Sequence, residues 1–206
     1  MPYLLNRVFL VIDICNVERS MIKVIISSLF LVLLSSCIIT NTPGFYTGYN
    51  RLSDNDKKTI VFVDKDSSIN NFVNNEKIYA ITGKQLRLCL TKNDTSVVYF
   101  WGPNCSSKSC ISIAACQNYC TSKNYNLYVV ADYYDIQKMQ NQNVSNFPML
   151  IANEQYYNKK YANSLNKLFL NDLINGVNIN KEEQYNRFLY FKGDKLIKSK
   201  SDMFKE

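Results

Sequence analysis

Residues 97–101, Val-Val-Tyr-Phe-Trp, carry no polar face. Successive residues of a β-strand point to opposite sides of a sheet, so a run that is apolar on both sides needs cover above and below. This constrains the fold more than any other feature: it asks for a central strand sandwiched between helices. The run ends in Gly102-Pro103-Asn104-Cys105, a turn that brings a cysteine to the strand's carboxyl end.

The rest of the chain supplies the layers. TIVFVD (59–64), KIYAIT (77–82), SVVYFW (96–101), NLYVVAD (126–132) and FPMLIAN (147–153) read as strands, the last entered through a proline. Residues 84–92 predict a short helix with Leu86, Leu90 and Cys89 inward. Residues 106–120 and 134–144 predict two more helices. Residues 164–175 predict an amphipathic helix with Leu165, Leu168, Phe169 and Leu173 on one stripe. Residues 187–199 read as a hairpin turning at Lys192-Gly193-Asp194-Lys195. The alternation predicts an α/β protein, a central mixed β-sheet flanked by helices.

The 206 residues allow one ordinary domain with appendages. There is no histidine, which excludes Ser-His-Asp and Cys-His nucleophile pairs and His-ligated zinc or copper. The net charge of +7 is spread without a Lys/Arg block, so no nucleic-acid partner is expected. Seven cysteines make thiol chemistry the place to look.

The first 58 residues read as an address and a leash. Residues 1–20 hold a second apolar stretch, and a signal starting at Met21 is better formed, so 1–20 read as an over-extended start. The run after Lys23 is shorter than the ~20 residues a membrane-spanning helix needs and fits the apolar core of a secretory signal, 21–36. It ends Leu34-Ser35-Ser36-Cys37, which resembles the bacterial lipobox, and that resemblance implies lipid attachment at Cys37 and a membrane anchor. Residues 37–58, with Pro43, Gly44 and Gly48, read as a tether, and 59–206 as the folded domain. Export would place the domain at the cell envelope, facing the periplasm or exterior, where disulfides persist.

VVYFWGPNC, then a helix, a Val-Val strand and the proline-led strand at Phe147-Pro148-Met149, resembles a thioredoxin-like domain, nearest to the membrane-anchored periplasmic proteins of the TlpA/ResA kind. The resemblance covers roughly residues 75–200. It implies a thioredoxin-like fold with Cys105 as nucleophile, a cis Pro148 opposite it, no cofactor, and protein thiols or disulfides of the envelope as partners. It also implies a substrate groove, with Trp101 and Phe147 as an apolar lip beside Pro148. Two positions depart from the pattern. The second cysteine would fall at 108, which is Lys108, and the buried acid six residues before the nucleophile is Tyr99. Asp132 reads as a strand-end residue rather than a replacement acid.

At the start of a helix over 106–120, Cys105 would meet free N–H groups that favour its thiolate, and Lys108 would add to the effect. Cys110 is the candidate resolving thiol. Five helical residues rise about 7.5 Å and turn about 140° off-face, whereas a disulfide wants Cα atoms within about 7 Å. A Cys105–Cys110 bond therefore needs the helix to start late, with Ser107 or Ser109 as cap. Cys116 and Cys120, one turn apart, lie too far from each other for an unstrained bond and away from the Ile111, Ala115, Tyr119 stripe. A bond from either to Cys89 stays open. Thiol–disulfide exchange at Cys105, with Cys110 or alone, is the leading expectation. A redox-inactive module that binds an envelope protein or peptide is the alternative, and metal handling through Cys105, Cys110, Cys116 and Cys120 is a weaker third.

Overall fold

A computed structural model describes residues 22–23, 25–30, 42–106, 110–177, 183 and 186–205. The chain divides into Met1–Thr42 and Pro43–Glu206. In the first unit, residues 25–30 are helical and exposed. Among the described residues no helix is long and apolar enough to cross a membrane. Cys37 lies outside the described residues.

The second unit is an α/β structure on one seven-stranded mixed sheet. Its strands are β1 (Ile60–Phe62), β2 (Ile78–Ile81), β3 (Thr95–Trp101), β4 (Asn126–Ala131), β5 (Leu150–Ala152), β6 (Phe188–Lys192) and β7 (Lys195–Lys200). Their order in space is β1-β2-β5-β4-β3-β6-β7. The first five run parallel, and the β6–β7 hairpin is antiparallel on the far side of β3. The helices are α1 (Asp54–Lys57), α2 (Gly83–Leu90), α3 (Ile113–Ser122), α4 (Ile136–Asn141), α5 (Glu154–Tyr157) and α6 (Ala162–Leu173).

The apolar run 97–101 of β3 is covered on both faces. Val97, Tyr99 and Trp101 point into a core shared with Ile113, Cys116 and Cys120 of α3 and with Ile136 and Met139 of α4. Val98 and Phe100 point the other way, toward Leu86 and Leu90 of α2 and Leu165, Phe169 and Leu173 of α6. The predicted α6 stripe holds except that Leu168 is half-exposed and Ala162 takes its place inside. On α3 the buried stripe is Ile113, Cys116 and Cys120, and the Ala115, Tyr119 side is half-exposed.

Helix α2 opens with a full capping box. Thr82 Oγ1 accepts from the Gln85 N–H, and Gln85 Oε1 accepts from the Thr82 N–H. Its first residue is glycine for a packing reason. A Cβ on Gly83 would stand 2.1 Å from the Phe169 carbonyl oxygen and 2.7 Å from the Leu173 nitrogen, so α2 and α6 meet backbone to backbone there.

Residues 43–58, read as tether, pack on the domain instead. The Thr47 N–H donates to the Lys160 carbonyl (2.8 Å), the Tyr134 N–H to the Thr47 carbonyl (2.7 Å), and the Ala162 N–H to the Phe45 carbonyl (3.2 Å). Tyr46 stacks on Tyr161. The Thr47 hydroxyl donates to the buried Glu154. The sequence reading missed this strap because its aromatics have no strand or helix period; they dock through tertiary contacts.

Candidate functional site

The end of β3 is held between two neighbours. The Asp132 N–H, just past β4, donates to the Trp101 carbonyl (2.9 Å), and the Phe100 N–H donates to the Arg187 carbonyl (2.8 Å), just ahead of β6. The chain then turns through Gly102, and the Cys105 N–H donates to the Gly102 carbonyl (3.0 Å). Cys105 and Cys110 form a disulfide with their Cα atoms 5.9 Å apart. Both are half-buried.

The bond exists because the helix starts late. Residues 106–120 were expected as helix, with Ser107 or Ser109 as cap; α3 begins at Ile113 and its cap is Ser112, whose Oγ accepts from the Ala115 N–H (3.2 Å). Serine side chains compete for local backbone groups and hold a chain out of the helix until one of them can cap it. The late start leaves Cys110 outside α3, where it bonds to Cys105. It also removes the helix-terminus argument for Cys105, because the first free N–H groups of α3 lie well down the chain. Lys108 falls outside the described residues.

The chain is fastened on both sides of the bond. The Asn104 N–H donates to Tyr133 Oη (3.0 Å), Asn104 Nδ2 donates to Asp135 Oδ2 (3.0 Å), and Lys138 Nζ donates to Asn104 Oδ1. At the other end Tyr99 Oη donates to the Ile111 carbonyl (2.8 Å), next to Cys110. Burial holds the Tyr99 phenol well above its ordinary pKa, so this tyrosine is a donor and not a proton relay.

Beneath the turn lies a charge pair that the sequence reading did not assemble. Arg187 Nη1 is 3.4 Å from Asp132 Oδ2 and donates to the Phe100 carbonyl (3.0 Å). Desolvation raises the Asp132 carboxyl above its usual range, and the Arg187 guanidinium opposes the rise. A Cβ on Gly102 would stand 3.4 Å from Arg187 Nη1, from Asp132 Oδ2 and from Cys105 Cβ alike. The charge pair and the cysteine therefore meet at one bare α-carbon. Asp132 is a strand-end residue, as read, and also part of this cluster. Arg187 carried one signal: it is the only arginine after Arg87 and heads the hairpin run.

The expected groove is not assembled. Trp101 is buried at the carboxyl end of β3. Phe147 and Pro148 lead into β5, which runs parallel to β4, with Leu150 level with Val130 and, one strand on, Phe100. Pro148 thus lies level with Tyr128 and Val98, midway along β4 and β3, with β4 between it and β3, while Cys105 lies beyond their carboxyl ends. The parallel direction of β5 is the physical reason. Pro148 is buried, its peptide bond is trans, and Phe147 packs edge-on to Tyr128.

The other described cysteines face inward. Cys89 is 3.6 Å from Tyr128 Oη, and burial raises its pKa. Cys116 and Cys120 are each pushed up to about 12 by desolvation. All three are free thiols, so the bond to Cys89 that the sequence left open is not formed. Among the described residues no group of three or more Cys, Asp or Glu is placed to hold a metal ion.

On the α6 side of Arg187 and Asp132 a cavity of about 500 Å3 opens at the carboxyl ends of β3 and β4. Phe100, Tyr133, Asn166, Lys167 and Leu170 contribute to its lining. No protein-family model, no curated protein and no solved structure matches the chain.

Proposed function

We propose that this chain is an envelope lipoprotein whose domain, thioredoxin-like around β3, α3, β4 and the β6–β7 hairpin, performs thiol–disulfide exchange through Cys105 and Cys110. One observation carries the reading: the two cysteines are bonded and half-buried, and Cys105 meets the Arg187–Asp132 charge pair at Gly102. An incoming thiolate attacks one sulfur, and the other leaves as a thiolate. With no helix start at Cys105, the Arg187 guanidinium supplies the positive field that favours a thiolate. Asp132, whose carboxyl desolvation raises above its usual range, is the acid proposed to exchange a proton with it. The partners are protein thiols and disulfides of the envelope, and no cofactor is required.

Alkylation across pH 4–9, with and without reductant, tests the chemistry. After mild reduction Cys105 and Cys110 should label fast, at least one with a pKa below about 8.5, while Cys89, Cys116 and Cys120 label only on unfolding. Slow labelling of both with ordinary pKa values would overturn the exchange reading and leave a binding module. The anchor is tested separately. Palmitate incorporation that disappears in Cys37→Ala supports it; incorporation that persists refutes Cys37 as the site.

A further inference from the structure

We propose that the cavity beside Arg187 and Asp132 binds a small α-amino-acid zwitterion, and that an amino-acid thiol of the cysteine class is the co-reactant of the adjoining Cys105–Cys110 pair. The second half rests on the exchange reading above; the first does not.

The lining carries both signs of charge. Arg187 and the exposed Lys167 offer cationic donors. Arg187 makes its hydrogen bonds among the described residues from Nη1, which leaves the rest of its planar fork for a carboxylate. Against these stand two acceptors. Asp132 is one. The other is Asn166: its Nδ2 donates to the Asp132 carbonyl (3.2 Å), while its Oδ1 is buried with no partner. The amide cannot be turned round, since that would set oxygen against oxygen. A buried acceptor without a donor costs about 1–3 kcal/mol, and a ligand ammonium removes that cost. A simple anion would satisfy Arg187 but face Asp132; a simple cation would meet Arg187. Only a molecule that carries both charges a few bonds apart answers all four groups. The apolar faces of Phe100 and Leu170 take its side chain. The volume lies in the range of small-molecule sites, and the position outside the carboxyl ends of parallel strands is where α/β sheets hold ligands.

Gly102 connects this site to the disulfide. Its absent side chain is the space where Arg187, Asp132 and Cys105 converge, each 3.4 Å from the missing Cβ. A cysteine-class thiolate bound below attacks Cys105 Sγ. The Cys105–Cys110 bond breaks, its electron pair leaves on Cys110 Sγ, and a mixed disulfide forms. A second such thiolate attacks the bound amino acid's sulfur and expels Cys105 as thiolate. Two amino-acid thiols are oxidised to one disulfide, the protein pair gains two electrons, and the two protons released by the thiols pass to Cys105 and Cys110.

Binding is tested first with S-methyl-L-cysteine, which cannot exchange, by calorimetric titration of the purified full chain. The expected result is saturable binding, weakened at least about tenfold when the probe is its methyl ester or its N-acetyl form, each of which deletes one charge. Leu170→Trp, which puts an indole into the apolar side of the cavity, should abolish it with an unchanged circular dichroism spectrum. No saturable binding to the wild type, or equal binding of all three probes, overturns the site. The co-reactant is tested by reducing Cys105–Cys110 with L-cysteine and with cysteamine at equal thiolate concentration. L-cysteine should be about tenfold faster and saturate, and Leu170→Trp should erase the difference. Equal, non-saturating rates overturn the co-reactant. A pair that not even dithiothreitol reduces overturns the exchange reading, while the titration still judges the cavity by itself.

Discussion

Tyr99 occupies the position six residues before Cys105 and fastens the chain next to Cys110 from inside the sheet, stacking on Phe188 while its hydroxyl donates to the Ile111 carbonyl. Tyr99→Phe keeps the ring and deletes the bond. Denaturant titration should show a loss of about 1–2 kcal/mol, since the carbonyl loses its buried donor; an unchanged midpoint would mean that water replaces it. The chain would also become freer next to Cys110. The pairing of Cys105 with Cys110 was legible as a condition, that the helix must start late, because i,i+5 geometry forbids the bond in a regular helix. The choice of Ser112 as cap was not legible. Four serines, at 106, 107, 109 and 112, offer the same chemistry to a helix start, and tertiary packing of Ile113 and Cys116 selects the last. Arg187 and Asp132 were hidden for a different reason: they are far apart in sequence, and only the β4-β3-β6 order brings them to one turn.

At the scale of elements, the α2–α6 contact is the most exacting. The Phe169 carbonyl lies too close to the space a Cβ on Gly83 would take, and helix backbone cannot step aside as a side chain can. Gly83→Ala should cost at least about 1–3 kcal/mol through overpacking, far outweighing the gain in helix propensity. Thermal unfolding reads this directly, and an unchanged or raised Tm would show that the two helices can separate at no cost. Strands β3 and β4 were legible as continuous apolar runs, helix α6 by its helical stripe, and the β6–β7 hairpin by its Lys-Gly-Asp-Lys turn between two apolar runs. Strand β5 was legible as a strand but not in its direction. A proline-led apolar run reads the same whether it enters a sheet parallel or antiparallel, and that direction decides how far along the sheet Phe147 and Pro148 fall from Cys105. The four-residue helices α1 and α5 were too short to show a period.

For the molecule as a whole, the sheet order and the strap were the parts the sequence withheld, because both are sums of long-range contacts. The strap brings a pH dependence with it. Desolvation raises Glu154 above its ordinary value, only partly offset by the Thr47 hydrogen bond and the charge of Lys160. A carboxyl raised in the folded state binds more protons there than in the unfolded chain. Its contribution is therefore fully present below the unfolded value, about 4.3, and is lost as pH rises through the folded one. Glu154→Gln should flatten that part of the stability–pH curve and leave the variant at least as stable as the wild type at pH 7. Urea midpoints at pH 4 and 7 decide it; a wild type that gains stability over that interval through Glu154 would reverse the sign.

Among the described residues the sheet ends in two edge strands, and their composition decides whether copies of this chain can join through them. Strand β1 offers only three residues. Strand β7 is longer, but it carries Lys195, Lys198 and Lys200, and it is bulged at Ile197, where its register against β6 shifts between Tyr190 and Phe191. A second copy aligned along β7 would bring lysine against lysine and a twisted ladder against a twisted ladder. A molecule with so much apolar strand is thus kept from polymerising edge to edge by a few charges at its rim.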